Sequence, residues 1–286
     1  MTLISIGWFL LALMLSNVAT RLLIDLDEKK GNVDQPDRER KIHKTPVPHS
    51  GGLAVYFALA IILMAVLASS DTLTQGLIGL NHYLGFLIGG AVLMFGGYLD
   101  DRYELSPKVS ILFPVVAALC VIGFGVEITK LTNPLGGVIE LAGWQSDLLV
   151  FVWLMGVMYT TKLLDGLDGL ATGVTGIGAF MIMLLSLSAA YYQPDVALLA
   201  LIVLGVWIGF WVLNFNPARI FLGEGGSTFV GFTLGTLAVI SGGKLATALL
   251  VIAIPIFDVA WQIIRRFRVG GLKQVFQGDR LHLHFR

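Results

Sequence analysis

Five polar stretches interrupt an otherwise apolar chain, and they hold most of the residues able to do chemistry. The densest is TKLLDGLDGLA (161–171), where Asp165 and Asp168 stand three apart, each followed by glycine, with Lys162 just ahead. On a helix that spacing puts both carboxylates on one face. Gly166 and Gly169 carry no side chain and let another backbone or a phosphate come close. A calcium loop is excluded, because the DxDxDG order and its terminal glutamate are missing. Acids at a helix start are favoured by the dipole, but two aspartates near a bilayer edge are costly without a partner.

The other four stretches add complementary groups. GGYLDDRYELSPK (96–108) carries adjacent Asp100 and Asp101, with Arg102 and Lys108 as local ion-pair candidates. NFNPARIFLGEGGSTFVGF (214–232) sets Glu224 among glycines before an apolar run. Consecutive amides at such a helix start make an anion cradle, with Ser227 or Thr228 as the natural N-cap. Glu224 is a hard oxygen donor suited to Mg²⁺. VDQPDRERKIHKTPVPHSGG (33–52) clusters Arg38, Arg40, Lys41, His43 and Lys44, and its prolines argue against a continuous helix. This cluster reads either as an anionic-lipid contact or as a clamp for an anionic substrate. His49 and Gly51-Gly52, at the start of the next apolar run, suggest a tight backbone approach. RRFRVGGLKQVFQGDRLHLHFR (265–286) ends in His282 and His284, which suit phosphate or nucleotide contact better than zinc. Asp258, inside the last apolar run, reads equally well as a packing ion pair.

The elements that must position these groups are set by composition. Hydrophobic residues make up 56% of the chain and charged residues 13%, with a mean hydropathy of +0.82. A soluble domain has roughly 45–50% apolar and about 25% charged residues. Windows near 3–23, 51–70, 82–98, 107–128, 146–162, 171–192, 196–213, 227–242 and 244–262 are each close to the ~20 apolar residues a helical span needs. They show no strand-like alternation, so they predict an all-α, polytopic transmembrane bundle of nine spans in a single domain, residues 1–286. The first window lacks the charged start and cleavage site of a signal peptide and reads as a retained helix. Cys120 is a lone cysteine inside a span, so no disulfide framework or zinc cluster is available.

With nine spans the connecting loops alternate sides. Of the 19 Lys and Arg, all but Lys130 and Lys244 fall with the loops at 24–50, 99–106, 163–170, 214–226 and after 262. The positive-inside rule makes that side cytoplasmic and puts the N-terminus outside. Acids in three loops, bases in two and one anion cradle on one face describe a Mg²⁺-dependent phosphate or diphosphate site. The apolar scaffold suggests that the second substrate is a lipid.

Together RKIHKTPVPHSGG, GYLDDRYELSPK, DGLDGLA, NFNPARIFLGEGGS and DRLHLH resemble the polyprenyl-phosphate N-acetylhexosamine-1-phosphate transferases. The resemblance spans residues 33–286 and implies transfer of a sugar 1-phosphate from a UDP-amino-sugar to polyprenyl phosphate, releasing UMP. It implies a plasma-membrane location with a cytoplasmic site. Asp100 and Asp101 match the pair that positions or deprotonates the lipid phosphate, and Asp165 and Asp168 match active-site acids. Glu224, with Asp168, matches the metal position, for Mg²⁺ or alternatively Mn²⁺. Substrate contacts fall on Lys41, His43, Lys108, Lys162, Asn214, Gly225, Ser227, His282 and His284. The implied partners are polyprenyl (undecaprenyl) phosphate, a UDP-N-acetylhexosamine and the bilayer, with no nucleic acid; a homodimer stays open. The GlcNAc-1-phosphate branch fits the first-loop and HxH patterns better than the phospho-MurNAc-pentapeptide branch. The chain departs from the family at Lys162, where asparagine is usual, and at Glu224, where aspartate is usual. It also departs at Ser110 and Pro114, in its two-histidine ending, and in having nine windows where ten spans are usual. A secondary transporter would place its acids near the midplane, and an intramembrane aspartyl protease would need them on facing spans.

Overall fold

A computed structural model describes residues 3–36, 45–76, 78–132, 137–242 and 253 of the chain. In hydrocarbon every backbone polar group must be satisfied within the protein, and the apolar runs do so by forming helices. These are α1 (Leu3–Lys30), α2 (Gly51–Ser69), α3 (Leu80–Tyr103), α4 (Pro107–Ser110), α5 (Leu112–Gly123), α6 (Gly143–Leu164), α7 (Leu170–Leu187), α8 (Pro194–Asn214) and α9 (Gly223–Ile240). Among the described residues, α1, α2, α3, α6, α7 and α8 are long and apolar enough to cross a membrane.

The remaining predicted windows behave differently. The one at 107–128 is split at Ile111 into α4 and α5 and ends at Gly123, so it is shorter than a full span. The window at 227–242 starts earlier, at Gly223, and becomes α9, whose residues from Gly225 to Val239 are buried. The window at 244–262 lies outside the described residues. Two short antiparallel ladders join the helices, β1 (Val33–Asp34) with β2 (Val47–Pro48) and β3 (Lys130–Thr132) with β4 (Val138–Glu140).

α9 packs against α2, α3, α6 and α7, while α8 packs against α1 and α7. Around α9, Phe86 stacks on Phe232 at 5.4 Å between ring centroids, and Phe229 packs with Tyr56 and Trp207. Near its start the packing is backbone to backbone. Gly225 rests on Gly97 of α3, and Gly226 rests on Gly52 of α2. Membrane helices use small residues this way, because close approach recovers van der Waals contact where no hydrophobic drive separates helix from lipid. The tight approach expected at Gly51-Gly52 is therefore met. The amides of Gly51 and Gly52 donate to the carbonyls of Phe221 and Leu222, at 2.9 and 2.8 Å. Phe221 in turn donates to the Pro48 carbonyl at 2.8 Å. These bonds tie β2 and the start of α2 to the segment that leads into α9.

Candidate active site at the polar end of the bundle

Glu224 joins three helices. It sits in the first turn of α9, where its amide has no partner within the helix. That amide donates to Asp101 Oδ1 at 3.2 Å, on the last turn of α3. Its carboxylate meets the last turn of α6, with Oε2 2.6 Å from Lys162 Nζ. The two side chains are only 28% and 35% exposed, so the pair is partly shielded from water. Lys162 also lies within electrostatic reach of Asp101.

The anion held at the start of α9 is thus the protein's own Asp101. Gly225 and Gly226 serve helix packing, so the glycine run is not an open loop cradle. Ser227 and Thr228 do not cap the helix as the sequence suggested, because α9 already starts at Gly223 and Leu222 holds the cap position. Both hydroxyls donate back to the Glu224 carbonyl, at 3.0 and 3.3 Å. Packing against α2 and α3 overrides the poor helix propensity of the glycines.

Asp100, next to Asp101, has hydrogen-bond partners of its own. Its Oδ1 accepts from the Leu105 amide at 2.9 Å and its Oδ2 from the Ser110 hydroxyl at 2.6 Å. It fastens the turn after α3, in which Glu104 has φ +49, to α4. Neighbouring residues on a helix point roughly 100° apart, which lets one aspartate face the site while the other holds the turn. Lys108 lies exposed on α4.

Asp165 and Asp168 do not share a helix face. α6 stops at Leu164 and α7 begins at Leu170, so both occupy the intervening turn. Gly169 closes it with φ +74, a conformation that favours glycine. Its carbonyl accepts from Trp211 Nε1 at 3.1 Å. Asp168 Oδ2 accepts from the Ala218 amide at 3.0 Å, which ties this turn to the 215–222 segment. Asn214 is 3% exposed and holds the same segment. Its Oδ1 accepts from Thr172 at 3.0 Å and its Nδ2 donates to the Ile220 carbonyl at 2.9 Å.

A cleft beside Asp101 is lined by His49, Tyr98, Arg102 and Gly225, among others. Among the described residues, His49 Nδ1 is buried there without a hydrogen-bond partner. The sequence marked His49 only for its place beside the glycines, and nothing in its spacing pointed to Asp101. Ser110 was visible only as a departure from a motif. Lys41, His43, Asp258, His282 and His284 lie outside the described residues.

The oxygen donors have the right hardness for Mg²⁺. Among the described residues, however, no group of three or more His, Cys, Asp or Glu is placed to hold a metal ion. Glu224 is engaged by Lys162, and Asp168 by a backbone amide. Mg²⁺ usually takes one or two carboxylates and completes its shell with water and substrate phosphates. Glu224 offers one such carboxylate, and Lys162 holds it.

A bundle of apolar helices with acids and a lysine gathered at one polar end has clear relatives. The model of "Glycosyl transferase family 4" matches residues 83–242. A probable undecaprenyl-phosphate N-acetylglucosaminyl 1-phosphate transferase of Bacillus subtilis is 31% identical, over 97% of this chain and 75% of that protein. A decaprenyl-phosphate N-acetylglucosaminephosphotransferase of Mycobacterium tuberculosis is 32% identical, over 97% and 74%. A phospho-N-acetylmuramoyl-pentapeptide-transferase of Oceanobacillus iheyensis is 30% identical, over 85% and 76%. The chain belongs to glycosyl transferase family 4.

Proposed function

We propose that this protein transfers N-acetylglucosamine 1-phosphate from a UDP-sugar to a polyprenyl phosphate at the cytoplasmic face of the plasma membrane. An oxygen of the lipid phosphate forms a bond to the sugar-bearing phosphorus of the donor. The bridging P–O bond to the uridylyl half breaks, and UMP leaves. The observation that carries this reading is the meeting of Asp101, Lys162 and Glu224, from three helices, at one end of an apolar bundle. The names of the Bacillus and Mycobacterium relatives support the acceptor and the sugar phosphate.

In this reading Asp101 receives the lipid phosphate, and Asp100 keeps the end of α3 in place. Lys162 meets the donor's diphosphate, while Asp165 and Asp168 serve the donor side. Lys41, His43, His282 and His284 add positive charge to the same face. A bound Mg²⁺, or Mn²⁺ in its place, would supply neutralisation of the diphosphate, with Glu224 and Asp168 as the oxygen donors offered to it. Nine spans with the N-terminus outside put the basic residues in the cytoplasm.

The test uses the purified protein in detergent with undecaprenyl phosphate and a panel of UDP-sugars, scoring UMP with and without EDTA. UMP release that needs both the lipid and UDP-N-acetylglucosamine is expected. Lipid-dependent release with UDP-MurNAc-pentapeptide alone would move the chain to the other branch, and a failure of every UDP-sugar to yield UMP would overturn the reading.

A further inference from the structure

The charges at the start of α9 do not balance for an anionic ligand. Asp101 and Glu224 adjoin, and the Lys162 ammonium pairs with Glu224 within electrostatic reach of Asp101. Among the described residues, a diphosphate entering here would meet these two carboxylates and a lysine already committed to Glu224, with Arg102 lining the cleft beside Asp101. Taking a charge away from its partner in a partly desolvated site costs much more than it does in water. Glu224 is therefore freed when Lys162 gains another anion, and an arriving phosphate supplies one.

Resting on the diphosphate-transfer reading above, we propose that Lys162 is a resident counter-ion that excludes a divalent cation from Glu224 until a diphosphate draws it away. Without substrate the ammonium occupies the carboxylate that the metal would use. When the donor binds, the ammonium moves to a phosphate oxygen, and Glu224 opens to the cation that accompanies the diphosphate. Metal and diphosphate then bind cooperatively, each raising the affinity of the other by the same factor. The geometry allows the exchange. Lys162 ends a flexible four-carbon stem on the last turn of α6, and its side chain is 28% exposed. The Glu224 backbone is held by its own amide to Asp101.

The experiment measures Mn²⁺ binding alone, by the loss of free-ion EPR signal, to the full chain in detergent with no lipid phosphate or nucleotide sugar. Wild type is expected to bind weakly. Lys162→Asn should bind Mn²⁺ at least tenfold more tightly, as should Lys162→Met if the asparagine variant does not stay monodisperse. Lys162→Arg, which keeps the charge, should match wild type. Adding Glu224→Gln to the neutral variant should return binding to the wild-type level. Equal Mn²⁺ affinity in wild type and both neutral variants would overturn the proposal, as would a gain that survives Glu224→Gln. No substrate is present, so this result stands or falls separately from UMP release.

Discussion

Replacing Gly225 with alanine tests how far the site depends on backbone packing between α9 and α3. A Cβ built on Gly225 would sit 2.8 Å from the Leu93 carbonyl oxygen, 3.1 Å from Gly97 Cα and 3.5 Å from Met94 Cα. All three are backbone atoms, and none can rotate away. Carbon atoms prefer roughly 3.5–4.0 Å, so the start of α9 must withdraw from α3 by about 0.5–1 Å. Overpacking of this kind costs about 1–3 kcal/mol. The Glu224 amide is already 3.2 Å from Asp101 Oδ1, and a withdrawal of that size takes it beyond hydrogen-bond range. A misplacement of about 1 Å at a reacting centre costs up to ~10²-fold in rate, so UMP release should fall tenfold to about a hundredfold. Gly156→Ala is the control, because a Cβ there meets nothing within 4 Å. Alanine also suits a helix better than glycine by roughly 0.5–1 kcal/mol. Thermal unfolding in detergent and UMP release would be measured on both variants. If Gly225→Ala proved as stable and as active as Gly156→Ala, the argument that backbone contact places Glu224 would fail.

Two smaller changes probe the supports around the site. Asn214→Ala strands the Ile220 carbonyl, while the Thr172 hydroxyl still donates to the Gly169 carbonyl, and should lower stability by about 1–3 kcal/mol, read as an earlier melting transition with reduced turnover. Ser110→Ala removes one of the two donors to Asp100, and a hydrogen bond to a charged group is worth about 1.5–3 kcal/mol. The lower end applies at this partly exposed turn, so a modest loss of stability with KM for the lipid largely kept is expected, and a large rise in that KM would put Asp100 in contact with the lipid phosphate instead.

The helices were legible because apolar runs near span length have few alternatives in a chain this hydrophobic. The polar face was legible because Lys and Arg crowd one set of loops. The glycines were harder to read. Gly225 and Gly226 beside Glu224 carry the same letters whether they cradle an anion or let two helices touch, and only Gly97 and Gly52, more than a hundred residues away in sequence, decide between the two. The same limit applies to the aspartates. Asp100 and Asp101 are indistinguishable as a pair of letters, yet Ser110 and Leu105 claim one while the α9 amide claims the other. Helical spacing misled at Asp165 and Asp168, because it assumes an unbroken helix and α6 ends at Leu164, ahead of both residues.

Asp101 at the start of α9 also changes what recognition of an anion must mean here. A free helix N-terminus attracts an external phosphate through its unpaired amides and its dipole. Here one of those amides is already held by a carboxylate fixed on a neighbouring helix, so much of that attraction is satisfied before any ligand arrives. A phosphate approaching this point meets the residual charge of Asp101 and Glu224, and among the described residues the group that meets both acids and can change partners is Lys162. Affinity for the donor should therefore depend more on an ammonium at position 162 than on the glycines beside Glu224. A chain with asparagine at that position would have to draw the same neutralisation from a metal ion or from the basic residues of its loops.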